Sequence, residues 1–184
     1  MAASIRAYLK GRPLLANCIT YGALYMGAEF SQQTLVRKVL PEKKQDYDFA
    51  LVGRYGVLGS TAFPTILYYW YKFLDSRLIG TSPQIVVGKV LLDQAISSPL
   101  ILVLFYTGMS AMEGREDIFK ELKEKFWKTY AYSCSFWLPA QVINFAFVPG
   151  VFRVVFVGSA SFLWVNILCL LKRAGSEIEE EKKE

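Results

Sequence analysis

The chain has no histidine. That removes a histidine-dependent catalytic triad and any His-ligated metal centre. Its three cysteines, Cys18, Cys134 and Cys169, are odd in number, far apart, and each sits in an apolar run. They read as buried thiols, not as a disulfide framework or a zinc site. Neither a Walker-type phosphate loop nor a dinucleotide fingerprint occurs. No catalytic residue, cofactor or metal is therefore assigned, and an enzyme is not expected, with carboxylate chemistry the one class left open. The net charge is only +5, and each basic cluster also holds acids, as in "REDIFKELKEKFWK", Arg115 to Lys128. A nucleic-acid face needs a coherent basic stripe, so nucleic acid is not an expected partner.

Acidic residues are also missing before Glu29, while Arg6, Lys10 and Arg12 precede the first apolar run. A basic, acid-free start is compatible with mitochondrial import. The run from Pro13 contains Asn17, Thr20, Tyr21 and Tyr25 and continues past Glu29. That composition favours a retained first helix over a cleaved signal peptide.

What the chain does have is apolar length. Hydrophobic residues make up 53% and aromatics 15%, while the 20% that are charged are segregated between apolar stretches. Five runs approach the length that a hydrocarbon core requires: Pro13 to Val36, Tyr55 to Tyr71, Gln94 to Met112, Thr129 to Val148, and Val154 to Leu171. A soluble bundle with five such helices would leave little polar surface to cover it. The expected fold is all-α: a polytopic helical membrane bundle with four to five membrane helices. Ile118, Phe119, Leu122, Phe126 and Trp127 have helical spacing and predict an amphipathic interfacial helix before the fourth run. Residues 1–175 read as one membrane-embedded domain and 176–184 as a charged, disordered tail. In a four-pass arrangement the basic residues divide evenly between the two sides, so the positive-inside rule gives no orientation.

Polar and helix-breaking residues inside these runs are the candidate functional positions. Pro64, Pro99 and Pro139 each remove a backbone donor at membrane depth, and Pro149 with Gly150 predicts a break between the fourth and fifth runs. Trp137, Gln141 and Asn144 fall on one helical stripe. Amides there must face other helices or water, either as packing contacts or as the wall of a polar path. Glu29, Arg54, Asp93 and Arg153 lie within or beside apolar runs and should face inward and pair. Lys89 and Asp93, at i and i+4, predict a shared face, with Asp93 against Arg54 or Arg153.

The stretch "FWLPAQVINFAFVPGVFR", with Trp137, Pro139, Gln141, Asn144, Phe145, Val148, Pro149 and Arg153, resembles the C-terminal signature of the Mpv-seventeen and twenty-two-kilodalton peroxisomal membrane protein family. "KVLLDQAISSP" matches its Lys89, Asp93, Gln94 and Pro99 pattern, and Arg54, Gly59, Pro64, Trp70 and Tyr71 fit the second run. The likeness is strongest to the Mpv-seventeen-like branch. Two departures stand out: Ala28 occupies the usual acidic position, with Glu29 one residue later, and Phe63 precedes Pro64 where the family has glycine. The resemblance implies a small helical protein of the mitochondrial inner membrane or the peroxisomal membrane. It further implies a role as a poorly selective pore or facilitator for small solutes and in handling reactive oxygen species. The competing reading is a non-conducting scaffold or assembly factor that binds partner proteins. The bilayer is the expected partner in either case, with homo-oligomers or other membrane proteins beside it.

Overall fold

The computed structural model describes residues 11–39 and 46–166. The basic start through Lys10, Pro41 and Glu42, Cys169, the end of the fifth apolar run and the tail 176–184 lie outside the described residues. Among the described residues all regular structure is helical: α1 Pro13–Val39, α2 Phe49–Ser60, α3 Ala62–Arg77, α4 Pro83–Met112, α5 Lys120–Phe147 and α6 Gly150–Asn166.

Each proline of the apolar runs leaves a different mark. Pro13 opens α1, where its missing N–H costs nothing. Pro64 cannot pair with the carbonyl of Ser60, and the chain breaks one turn earlier, at Thr61, with φ −120° and ψ −79°. The Thr61 backbone N–H and hydroxyl both donate to Val57 O, at 3.1 and 2.6 Å, and seal the break. The second run, expected as one helix, is therefore two. Pro99 removes the donor that Ala95 would have used, and Asp93–Ser97 widens into a π-helical turn in which Ser98 N–H donates to Asp93 O. Pro139 sits inside α5 with no break in the helix. Pro149 follows an extended Val148, at φ −88° and ψ 122°, and α6 then opens with a 3-10 turn over Gly150–Phe152. The expected hairpin is present. Phe136 and Trp164, equally far in sequence from Gly150, stack across it with ring centroids 5.0 Å apart.

α1 packs along α2 and α3, and α5 packs along both halves of α4. α6 lies against α1, where Tyr21 and Ser161 hydroxyls meet at 3.4 Å and Ser31 donates to Asn166. α2 meets the second half of α4 through Tyr55 and Phe105. Asp48 caps the start of α2, its side chain accepting from Leu51 N–H at 2.8 Å.

Two expectations need correction. No separate interfacial helix precedes the fourth run: residues 113–119 are turns, and from Lys120 the charged stretch is already part of α5. Gly114 adopts φ +68° there, which lets the chain reverse after α4. Cys18 and Cys134 are half-buried instead of enclosed.

Polar groups share the interior with an apolar core, and many large apolar side chains face out. Asn17, Lys89, Asp93, Gln94, Gln141, Asn144 and Arg153 are buried, while Phe147, Ile79, Trp127 and Phe49 point outward. α4 is long and apolar enough to cross a membrane, and only 28% of its most apolar window is buried. A core helix of a soluble protein would be mostly covered, so this exterior suits a lipid solvent. α6 is a shorter apolar helix. The remaining candidates are interrupted: α1 by Glu29 and its Gln pair, the second run by the break at Thr61, and α5 by its charged first turns.

Close approach of α1 and α2 depends on glycine. A Cβ on Gly22 would lie 2.8 Å from Ser60 Cβ, and one on Gly59 would lie 2.7 Å from Tyr25 Cβ, while one on Gly53 would meet nothing within 4 Å. Small residues let membrane helices approach without a solvent driving force. Gly59→Ala should therefore lower stability by about 1–3 kcal/mol through overpacking. Gly53→Ala in the same helix should raise it by up to about 1 kcal/mol through helix propensity. Thermal unfolding of purified protein in detergent checks the pair, and equal shifts would remove the packing role assigned to Gly59.

Candidate functional site

Asp93, Gln94 and Ser97 are all buried in the π-helical turn of α4. A carboxylate in that position must be solvated by protein donors. α3 supplies Trp70, whose Nε1 donates to Asp93 Oδ1 at 2.9 Å. α5 supplies Gln141, whose Nε2 donates to Asp93 Oδ2 at 2.8 Å and to the Tyr71 hydroxyl at 2.9 Å. Asn144, one turn further along α5, donates from Nδ2 to Gln141 Oε1 at 2.8 Å and fixes the direction of that amide. Tyr71 is held edge-on to Phe145, with centroids 5.5 Å apart. The expected stripe thus exists, but its members differ. Gln141 and Asn144 are buried and paired, while Trp137 is half-buried and packs against the core.

Asp93 faces no cation among the described residues, contrary to the sequence expectation. The cations expected to meet it go elsewhere. Arg153 Nη1 donates to Asp75 Oδ1, and Lys89 Nζ donates to the same oxygen at 2.7 Å. Both cations are almost fully enclosed, whereas Asp75 is 35% exposed. Arg153 also donates from Nε to Val148 O at 3.2 Å and lies 5.2 Å from the centroid of the Phe145 ring. Asp75, a loop residue by its sequence position, instead joins α3, α4 and the α5–α6 turn. A Cβ on Gly150 would approach its Oδ2 to 3.2 Å, so the turn sits directly on this carboxylate. Arg54 pairs with Glu113 at 4.0 Å, linking α2 to the end of α4. Glu29 is buried on α1. Its Oε1 accepts from Gln33 Nε2 at 3.1 Å, and its Oε2 has no hydrogen-bond partner.

A cavity of about 250 Å³ opens beside this network. Asp93, Gln94, Ser97, Trp137 and Gln141 line one part of it, and Tyr21, Tyr25, Tyr55 and Phe105 line another. Asn144 is not on the lining, and neither are Glu29, Arg54 and Arg153. Gln94 is distinctive. Its side chain is 6% exposed, and neither Oε1 nor Nε2 has a hydrogen-bond partner. Its backbone carbonyl is taken by the Tyr130 hydroxyl at 2.8 Å.

Sequence reasoning misses three contributors. Trp70 and Tyr71 lie in the cluster "YYWY", which has the composition of an interfacial aromatic belt, yet both turn inward to the polar network. Asp75 is missed because it falls just past the apolar run. A usable signal is present: Tyr71 and Asp75 are four residues apart, on one helical face.

Asp75 therefore has a larger structural role than its exposure suggests. Removing its charge would leave Lys89 and Arg153 buried and unpaired, which costs roughly 3–5 kcal/mol for a broken buried pair. Asp46 pairs with Arg37 at 3.9 Å and is fully exposed, so its removal should cost about 1 kcal/mol or less. Thermal unfolding of Asp75→Asn and Asp46→Asn in the same detergent should separate them clearly. Similar midpoints would mean that the two cations do not depend on Asp75.

Comparison with known proteins agrees with the residue pattern. The model of the Mpv17 / PMP22 family matches residues 110–169. An Mpv17-like protein of Xenopus laevis is 33% identical over 90% of this chain and 79% of its own length. An Mpv17-like protein of Bos taurus is 34% identical over 89% and 80%. Protein SYM1 of Saccharomyces cerevisiae is 35% identical over 88% and 85%. No solved structure matches. A signature centred on the α5–α6 hairpin, continued across most of the chain by these relatives, makes this protein a member of the Mpv17 / PMP22 family of mitochondrial and peroxisomal membrane proteins.

Proposed function

We propose that this protein is a poorly selective pore or facilitator for small solutes, acting without catalysis in the mitochondrial inner membrane or, alternatively, the peroxisomal membrane. Four to five membrane passes would surround the cavity. The role in organelle homeostasis and reactive oxygen handling follows the family resemblance. The observation that carries the reading is the convergence of Asp93, Gln94, Ser97 and Gln141 on one cavity inside the bundle. Asp93 and Gln141 are also bonded between helices, but packing alone would not leave Gln94, on the same lining, with both side-chain polar atoms unpartnered. Copies of the chain or other membrane proteins could complete a path, and the outward-facing Trp127 is an available contact.

The scaffold reading keeps one specific support. Gln141 bridges α5 to Asp93 of α4 and Tyr71 of α3, which is how an amide acts as packing glue, while the wholly enclosed Asn144 donates only to Gln141 within α5. The two amides therefore have separable roles in the pore reading. Planar-bilayer recordings of wild type, Gln141→Leu and Asn144→Leu test this, once each is shown to be folded. Gln141→Leu should change conductance strongly, because it strips Asp93 and Tyr71 of a donor at the lining. Asn144→Leu removes the bond that fixes Gln141 but no lining group, so it should lower thermal stability and change unitary conductance less than Gln141→Leu does. Absence of conductance in all three would leave the scaffold.

A further inference from the structure

The cavity has a chemistry more specific than a polar path needs. Its wall combines one carboxylate with a ring of aromatic side chains, including Tyr21, Tyr25, Tyr55, Tyr71, Phe105 and Trp137. No lysine or arginine lines it among the described residues. The donors that Asp93 does have, the Trp70 indole and the Gln141 amide, are neutral. The cations nearest in the fold are already engaged, Lys89 and Arg153 with Asp75 and Arg54 with Glu113. The negative charge of Asp93 is thus solvated but not neutralised. Beside it, the buried Gln94 side chain offers a donor and an acceptor, neither of them used within the protein. Buried amides rarely go unpartnered on both atoms, and each idle group carries a desolvation penalty.

We infer that this cavity binds a small organic ammonium ion, held by cation–π contact with the aromatic wall and by Asp93, with Gln94 bonding a polar group on its tail. Aromatic walls with a nearby carboxylate suit quaternary ammonium groups, which are weakly hydrated and make no strong hydrogen bonds of their own. The volume of about 250 Å³ equals roughly eight water molecules at about 30 Å³ each, enough for a trimethylammonium head with a short hydroxyl-bearing tail. Anions are disfavoured, because phosphate or carboxylate groups would meet Asp93 and find no cation on the lining. The inference rests on the reading of this cavity as a place where solutes sit. The same head group has two sources in a membrane, a free solute or the choline head of a phospholipid.

The test is equilibrium titration of the full chain in nanodiscs of phosphatidylglycerol, which carry no ammonium head group. Choline and its neutral carbon isostere, 3,3-dimethylbutan-1-ol, have nearly the same shape and differ in charge. Choline should bind about tenfold or more tightly than the isostere. Asp93→Asn should bring the two together. Gln94→Leu removes an amide that makes no intramolecular bond, so folding does not depend on it. That variant should weaken choline several-fold and leave tetramethylammonium unchanged, because only choline carries a hydroxyl. Repeating the titration in phosphatidylcholine discs identifies the source: a weaker apparent affinity means lipid head groups occupy the site, and an unchanged one means a free solute. Equal binding of choline and isostere to wild type, or no binding of either, overturns the inference. Conductance without ammonium binding would leave the pore reading standing alone, whereas ammonium binding without conductance would retain the site and remove the pore.

Discussion

A carboxylate enclosed by apolar helices has to be solvated by the protein itself, because the bilayer supplies no donors. Asp93 imposes that demand here. Its two oxygens draw Trp70 from α3 and Gln141 from α5, so three helices are registered against one side chain. Asp93, Gln94 and Ser97 lie in the π-helical turn, and all three are buried against the bundle. Pro99 is the local cause of the turn, and the bundle converts a helix defect into a polar centre. Gln141 is held in place by Asn144, and Tyr71, which accepts from Gln141, meets Phe145 in a T-shaped contact.

Charge is divided between two levels. At the Asp75 level two enclosed cations share one half-exposed carboxylate oxygen. At the Asp93 level a carboxylate is met only by neutral donors. Lys89 and Asp93 sit a turn apart on α4, yet their side chains serve different clusters. Phe145 lies between these clusters, with Arg153 over its ring face and Tyr71 in a T-shaped contact. Its burial is complete.

Much of this arrangement is legible in the residues themselves. Apolar runs with segregated charge point to the all-helical class, and Val148, Pro149 and Gly150 point to the hairpin, because local steric rules decide a turn of that kind. The inward direction of Gln141 and Asn144 is also legible, since amides avoid lipid. Partner choice is not. The i, i+4 spacing does put Lys89 and Asp93 on one buried face, with Asp93 N–H donating to Lys89 O, but spacing cannot say that Lys89 turns to Asp75 and Asp93 to Trp70 and Gln141. Asp75 lies beyond the hydropathy boundary, and nothing local shows that Arg153, far along the chain, will reach it. The break at Thr61 is the opposite case: Pro64 announces a disturbance, but whether it bends or splits the helix depends on tertiary packing.

Both polar centres are assembled from unequal halves of the chain. Trp70, Asp75, Lys89 and Asp93 all precede Met112, whereas Gln141 and Arg153 arrive only with the last two helices. During biogenesis, the first part can enter the bilayer with Lys89 already matched to Asp75 and with Asp93 holding a single donor. The C-terminal hairpin then docks onto a template whose unmet valence specifies where it must land. The second oxygen of Asp93 is met only when the C-terminal hairpin brings Gln141.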